Sequence, residues 1–398
     1  MLQGDPLRRA IGEALDEKLG GKERRFAAYA ARELSRHQRW LDATAKAKGL
    51  PFSSLNLEGD RAIWRYALWR TLKGGADAER ALTEIALPGP VRPRSIPDAV
   101  IAKHLAVAAT APEPPDPLER AAFLHSFPAW LAQAIAASVG PQALEPVLAA
   151  LNREPVLMLR ARRPVGPLLE ALAKEGHQLS VDPSAPGALV QDDEGRAIFD
   201  SPAMKQGHLQ VMDVGSQALA ALCRALPGQT AVDYCAGAGG KTIALADAVG
   251  PTGHVEAWDK NPGRLKEARR RTRELSLRQV SFPERPRLAS ADVVLIDAPC
   301  SGTGTLAREP DQKWKLTADK VKTLVSTQRQ ILGDVAKAVK PGAVVVYGTC
   351  SILRDENAAQ LDWFLEAHPR FHLDGAPLTV LPHQSAGGGF FGARLIAS

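Results

Sequence analysis

Cysteine is scarce in this 398-residue chain: Cys223, Cys235, Cys300 and Cys350 are all there are, with no C-x-x-C pair and no His at metal-ligand spacing. That excludes a disulfide framework and a zinc site as the organising device, so no metal is expected. Reduced thiols fit a cytoplasmic setting. Aromatic residues make up only 5% of the chain, and long apolar runs are missing. The longest uncharged stretch, "FPAWLAQAIAASVGPQAL", is broken by Pro, Gln, Ser and Gly, and no membrane span is expected. The opening "MLQGDPLRRAIGEALDE" has no signal-peptide apolar region. No repeat at a solenoid period is present.

What is present is a globular composition, 45% apolar and 24% charged, in a chain long enough for two or three domains. The net charge of +6 favours a polyanionic partner. Residues 260–278, "KNPGRLKEARRRTRELSLR", hold eight Lys or Arg against two Glu. One helix would present a basic face to phosphates, although a solvated helix face accounts for the pattern equally well. Nothing in the letters reports an oligomer, and a monomer is the default.

Residues 1–117 read as a helical domain: "ERRFAAYAARELSRHQRWLDATAKAKG" and "GDRAIWRYALWRTLKGGADAERALTEIAL" carry apolar residues at spacings of three and four. The stiff connections "PGPVRPRSIP" and "PEPPDP" follow, and the second marks the domain boundary. Residues 118–205 mix helices with short strands and read as a small α+β module. From 206 to 398 the runs "TAVDYC", "HVEAWD", "ADVVLID" and "AVVVYGTC" alternate with helical stretches near 241–249, 262–275 and 317–339. Continuous apolar runs between helices mean strands buried on both faces of a parallel sheet, a Rossmann-like α/β domain.

Ligands bind such sheets at the carboxyl ends of the strands. In "DYCAGAGGKT", Gly237, Gly239 and Gly240 allow close backbone approach, and the next helix offers free N–H groups to an anionic group. Asp259 ends the second strand, where it would accept hydrogen bonds from ribose hydroxyls, or act as a turn residue before Asn261 and Pro262. A P-loop is excluded, because Cys235 stands where its first Gly belongs; the dinucleotide pattern fails at Thr242. Cys223, in "ALAALCRAL", reads as inert core. Cys300 and Cys350 each follow a buried strand directly and open onto the ligand edge, where a depressed pKa would make a nucleophile.

In "DYCAGAGGKT", "DAPCSGTG", "REPDQKW", "TCS", "GGGFFGARL" and "VMDVGSQ" the chain resembles the Nop/Sun family of RNA cytosine-5 methyltransferases, with the motifs in the family's order. The likeness covers roughly residues 125–398, since "HSFPAWL" and "NREPVLMLRAR" resemble that family's RNA-binding module. "GDRAIWRYALWRTLKG" is similar to the NusB-like domain of the Sun-type 16S ribosomal RNA enzymes. The chain departs from the family in having "CAGAGG" for the commoner "CAAPGG", Gly348 where Ser is common, and no Asp before the Gly of "GGGFF".

The resemblance implies a class I methyltransferase using S-adenosylmethionine to methylate C5 of cytosine, with 16S ribosomal RNA or a partly assembled small subunit as partner. It assigns Cys350 to attack on C6, Cys300 to release, and Asp297 to the N3 side of the base near the methyl donor. Cys235, Ala236, Gly237, Ala238, Gly239, Gly240 and Lys241 would wrap the methionine end of the cofactor, and Asp259 its ribose. The adenine contact stays unassigned. The alternatives are a catalytically idle ribosome-assembly or RNA-binding protein, and a DNA cytosine-5 methyltransferase, in which the P-C cysteine would be the nucleophile.

Overall fold

A computed structural model describes residues 21–48, 58–73, 81, 111–191 and 196–398 of the chain. The opening segment, "PGPVRPRSIP" and the later part of the second helical stretch lie outside the described residues. The chain forms two units, one comprising residues 1–152 and 309–315, the other 153–308 and 316–398.

The first unit is helical. In α1 (Gly21–Ala47) and α2 (Glu58–Leu72), Ala30, Leu41 and Ala45 meet Trp64, Ala67, Leu68 and Trp69 in one buried cluster. These positions recur at helical spacing, and Asp42 receives both Arg65 Nε (2.7 Å) and Nη2 (2.8 Å) across the pair. Three shorter helices follow: α3 (Pro117–Leu124), α4 (Ala129–Val139) and α5 (Pro141–Leu151). Asp116 starts α3 by accepting from the Glu119 N–H, with Pro117 at the first helical position. The short segment 309–315 belongs to this unit as well. Its buried Lys313 donates to Arg36 O (2.8 Å) and Asn152 Oδ1 (3.0 Å) and lies 4.3 Å from the Phe127 ring, while Trp314 Nε1 donates to Ser35 O (2.7 Å). The N–H groups of Arg39 and Trp40, which regular helix geometry would pair with those same carbonyls, donate to Ser126 Oγ. The middle of α1 is therefore completed by side chains from elsewhere in the unit.

The second unit holds two sheets. β1 (Met158–Ala161), α6 (Val165–Lys174), β2 (Leu179–Val181), β3 (Ala188–Gln191), α7 (Pro202–Lys205) and β4 (Leu209–Val211) make an antiparallel sheet of order β2-β3-β1-β4. Leu159, Leu189 and Leu209 of that sheet pack on Leu168 and Leu172 of α6. Next come α8 (Val214–Leu222), β5 (Thr230–Asp233), α9 (Gly240–Val249), β6 (His254–Ala257), α10 (Leu265–Glu274), β7 (Val280–Ser281) and β8 (Val293–Asp297). After α11 (Gln312–Lys315), in the segment that joins the helical unit, come α12 (Ala318–Ala338), β9 (Val344–Thr349), α13 (Ala358–Ala367), β10 (Phe371–Leu373), β11 (Leu378–Val380) and β12 (Phe390–Ala397).

The large sheet has the order β10-β12-β9-β8-β5-β6-β7, with β11 also on β12. Strands β7, β6, β5, β8 and β9 are parallel, as the alternation of apolar runs and helices requires. β12 runs antiparallel to β9, from Phe391 opposite Thr349 to Ile396 opposite Val344. A Rossmann-like parallel sheet is present, its first strand β5 beginning at Thr230, while β4 (Leu209–Val211) belongs to the small sheet; the antiparallel edge was not read from the sequence. In "FFGARLIA" only the motif value of the first letters stood out, whereas six of its eight residues are buried.

Gly348 has a packing reason. A Cβ there would lie 2.3 Å from Leu219 Cδ1 of α8, so no side chain fits between helix and strand.

Candidate active site

The glycine loop links β5 to α9. Gly239 sits at φ 80° and a Cβ on it would fall 2.7 Å from the Ala268 Cβ, so the loop presses on α10 at a backbone geometry suited to glycine. Gly237 N–H donates to Asp259 Oδ2 at 3.1 Å, which joins the first predicted loop to the second. Asp259 is buried, accepts from Asn261 N–H at 2.9 Å and faces the Arg264 guanidinium at 3.3 Å. It is thus both the turn residue and the bridge to the glycine loop. Arg264 was not anticipated; only its place three residues past the turn hinted at it.

At the start of α9, Lys241 Nζ donates to Asp297 Oδ2 at 2.7 Å and to Ser216 Oγ at 3.2 Å. Burial works against the Lys241 charge, but the Asp297 carboxylate outweighs it and the lysine pKa is raised. Asp233, at the end of β5, is buried, and burial pushes its pKa up to about 7 against the Thr242 hydroxyl bonded to it at 2.7 Å. Its other oxygen, Oδ1, has no partner among the described residues. Cys235 is held as a thiol by burial and by the carboxylates of Asp233, Asp297 and Asp259. Buried Cys223 is likewise pushed up, in keeping with inert core.

Cys300 and Cys350 meet: their sulfurs are 3.4 Å apart. The loops that carry them are tied together, because Ala298 N–H donates to Gly348 O and Gly304 N–H to Cys350 O, each at 2.9 Å. The two thiols are driven apart in acidity. Cys300 is raised by its hydrogen bond to Cys350 and by burial. Cys350 is lowered, first by that same hydrogen bond, then against burial by the Lys241 charge and the Thr305 hydroxyl. Of the pair, Cys350 is the more acidic thiol, and either sulfur can donate across the contact.

All the residues expected at the edge of the sheet are brought into one connected stretch, from Asp259 through Gly237 to Lys241, Asp297, Cys300 and Cys350. The sequence did not reveal the buried polar groups behind the cysteines: Glu356, Ser301, Thr303, Ser351 and Gln328. Nor did it reveal that Arg308, the first letter of "REPDQKW", reaches Asp213 at 2.7 Å, where that carboxylate also accepts from Gly388 N–H.

With this geometry, comparison with known proteins is specific. The description "16S rRNA methyltransferase RsmB/F" matches residues 220–396. Ribosomal RNA small subunit methyltransferase B of Cronobacter sakazakii is 32% identical over 292 residues, 69% of this chain and 67% of the relative. The chain belongs to the RsmB/F family. The protein of the same name from Photorhabdus laumondii is 30% identical over 287 residues, 68% of this chain and 66% of its own. The chain thus spans about two thirds of the length of these relatives. In fold, the crystal structure of PH0851 agrees with a TM-score of 0.74 at 23% identity, over 98% of this chain and 93% of that one. Membership makes the chain a methyltransferase that uses S-adenosylmethionine.

The residues fit that cofactor. The glycine loop and the start of α9 offer N–H groups that would suit a carboxylate, the unpartnered Asp233 Oδ1 would suit an ammonium, and Asp259 lies at the carboxyl end of β6, where a ribose would be held.

Proposed function

We propose that this chain methylates C5 of a cytosine in 16S ribosomal RNA, with Cys350 as the attacking thiolate and Cys300 as the residue of release. One observation carries the reading: two cysteines, on the loops that follow β8 and β9, stand 3.4 Å apart at the carboxyl edge of the parallel sheet. Bound S-adenosylmethionine supplies an electrophilic methyl on sulfonium. The Cys350 thiolate adds to C6, and the electron pair displaced from the C5–C6 double bond makes C5 nucleophilic toward that methyl. The Lys241 charge, fixed by Asp297, supports the negative charge that develops on the N3 side of the ring. In release, solvent water accepts the C5 proton, the C5–H electron pair re-forms the C5–C6 double bond, and the sulfur–carbon pair returns to Cys350. Cys300, 3.4 Å from Cys350 Sγ, would donate its S–H proton to the departing sulfur. A nucleophilic Cys300, as in DNA enzymes, runs against the direction of its shift.

The target base must leave its stack to reach these thiols, so a loop or melted segment of RNA is the substrate form. On α10, Arg270 is clamped between Glu267 and Glu274, whereas Arg269 and Arg273, with Arg278 from the turn that follows, line a groove of about 540 Å³ beside Phe282. This groove and the β1–β4 module are the RNA-facing elements of the proposal. Labelled cofactor with ribosomal RNA tests it. Wild type should place the label at cytosine C5, Cys350→Ala should abolish transfer, and Cys300→Ala should accumulate a covalent RNA–protein adduct. Full activity in Cys350→Ala would overturn the choice of nucleophile.

A further inference from the structure

Behind the two cysteines lies a carboxylate that the reaction as drawn does not use. Glu356 is in the turn after β9 and is fully buried. Its Oε1 accepts from Ser301 N–H (2.8 Å) and Gln328 Nε2 (3.1 Å), and its Oε2 accepts from Ser301 Oγ (2.5 Å). Among the described residues it has no Lys, Arg or His partner. Burying an acid without a cation is costly, and these bonds would equally suit a glutamine in shape, so the charge itself calls for a role.

The position supplies one. Ser301 directly follows Cys300, and Ser351 directly follows Cys350. Their hydroxyls are 3.2 Å apart, with Thr303 Oγ1 3.0 Å from Ser351 Oγ and 3.2 Å from Ser301 Oγ. Thr303 Oγ1 then accepts from Ile352 N–H, and Ser351 Oγ from Leu353 N–H, so both loops share one buried set of hydrogen bonds. Tyr347 O–H, on β9, donates to the Glu356 carbonyl at 2.7 Å and closes the set. The loop bearing Cys300 is thereby tethered to the segment that follows Cys350, with Glu356 as the anion at its root.

We propose that Glu356 is a positioning residue for the two thiols: it holds the Cys300 loop at the Cys350 loop and, by its negative charge, keeps the shared proton on Cys300. The proposal rests on the reading in which Cys350 attacks and Cys300 assists release. A proton kept on Cys300 serves both steps, because the same S–H stabilises the attacking thiolate before addition and the departing one afterwards. The charged or titratable groups around the pair divide accordingly. Glu356 and Tyr347 stand on the Cys300 side, with Glu356 opposing ionisation of that thiol. Lys241 and Asp297 stand on the Cys350 side, where the lysine favours the thiolate and the aspartate opposes it.

Glu356→Gln retains the shape and an acceptor oxygen while removing the charge. Peptide-resolved alkylation across pH, done on the full chain without RNA, should show the Cys300 midpoint falling by about one pH unit and the Cys350 midpoint rising. Single-turnover methylation should show slower decay of the covalent RNA adduct, with cofactor affinity unchanged. An unmoved Cys300 midpoint in a folded Glu356→Gln protein overturns the electrostatic role. Ser301→Ala keeps Glu356 but cuts its 2.5 Å tether, and should slow adduct decay several-fold; unchanged decay overturns the holding role. Because the alkylation readout needs neither RNA nor turnover, its failure is distinct from failure of the nucleophile assignment, which Cys350→Ala reads.

Discussion

Replacing Cys300 by alanine removes the hydrogen bond that most favours the Cys350 thiolate. Hydrogen bonds to charged groups contribute about 1.5–3 kcal/mol, and since S–H is a weak donor at 3.4 Å the lower end applies. About 1.4 kcal/mol is one pH unit, so the Cys350 midpoint should rise by roughly that amount. The sign follows from the direction of the shift: a lowered thiol pKa keeps the thiolate present above it, and raising the pKa withdraws thiolate first on the acidic side. Below the midpoint the thiolate fraction falls about tenfold, but a more basic thiolate is intrinsically more reactive, with a Brønsted coefficient of about 0.4–0.5 that returns roughly threefold. At pH values below the Cys350 midpoint, alkylation should therefore slow by about threefold, read by mass spectrometry of the Cys350 peptide over a pH series. Cys300→Ser keeps a donor and should move the midpoint back toward wild type. An unchanged or lowered midpoint in Cys300→Ala would refute the reasoning, because the S–S contact would then carry no charge-stabilising proton.

Lys241→Met should also raise the Cys350 midpoint and weaken binding of S-adenosylmethionine by tenfold or more, about 1.4 kcal/mol, in titration calorimetry; unchanged affinity would remove Lys241 from the cofactor site. Gly348→Ala should destabilise the protein by about 1–3 kcal/mol in urea unfolding through collision with Leu219, and Leu219→Ala added to it should recover part of the loss. Burial and the neighbouring Arg36 charge hold Lys313 well below the ordinary lysine range. The unfolded chain then binds more protons in the window from that lowered value up to about 10.4, so stability of the helical unit should rise with pH there. Lys313→Met should flatten the rise in denaturant titrations, and an unaltered slope would count against a proton lost from Lys313.

The local code was readable where chemistry and chain neighbours coincide. The five parallel strands include the four apolar runs read from the sequence, because a strand covered on both faces must be apolar throughout. The glycine loop, Asp259, Asp297 and the paired cysteines were legible for a related reason: each lies at or within a few residues of the carboxyl end of a buried strand, so its place on the ligand edge is set by nearness along the chain. The β12 edge was less legible, since its antiparallel pairing with β9 joins segments that are distant along the chain.

What the sequence alone determined was therefore the class of fold and the residues offered to the reaction. Tertiary structure alone decided which of them meet. Only the approach of two loops, fifty residues apart in sequence, places the sulfurs at 3.4 Å, close enough to share a proton. Only burial turns Glu356, an unremarkable acid in "LRDENAAQ", into an anion beside Cys300, and only the pairing of Lys241 with Asp297 brings a cation to Cys350. Acidity depends on distance and dielectric, and neither is a property of neighbours in the chain.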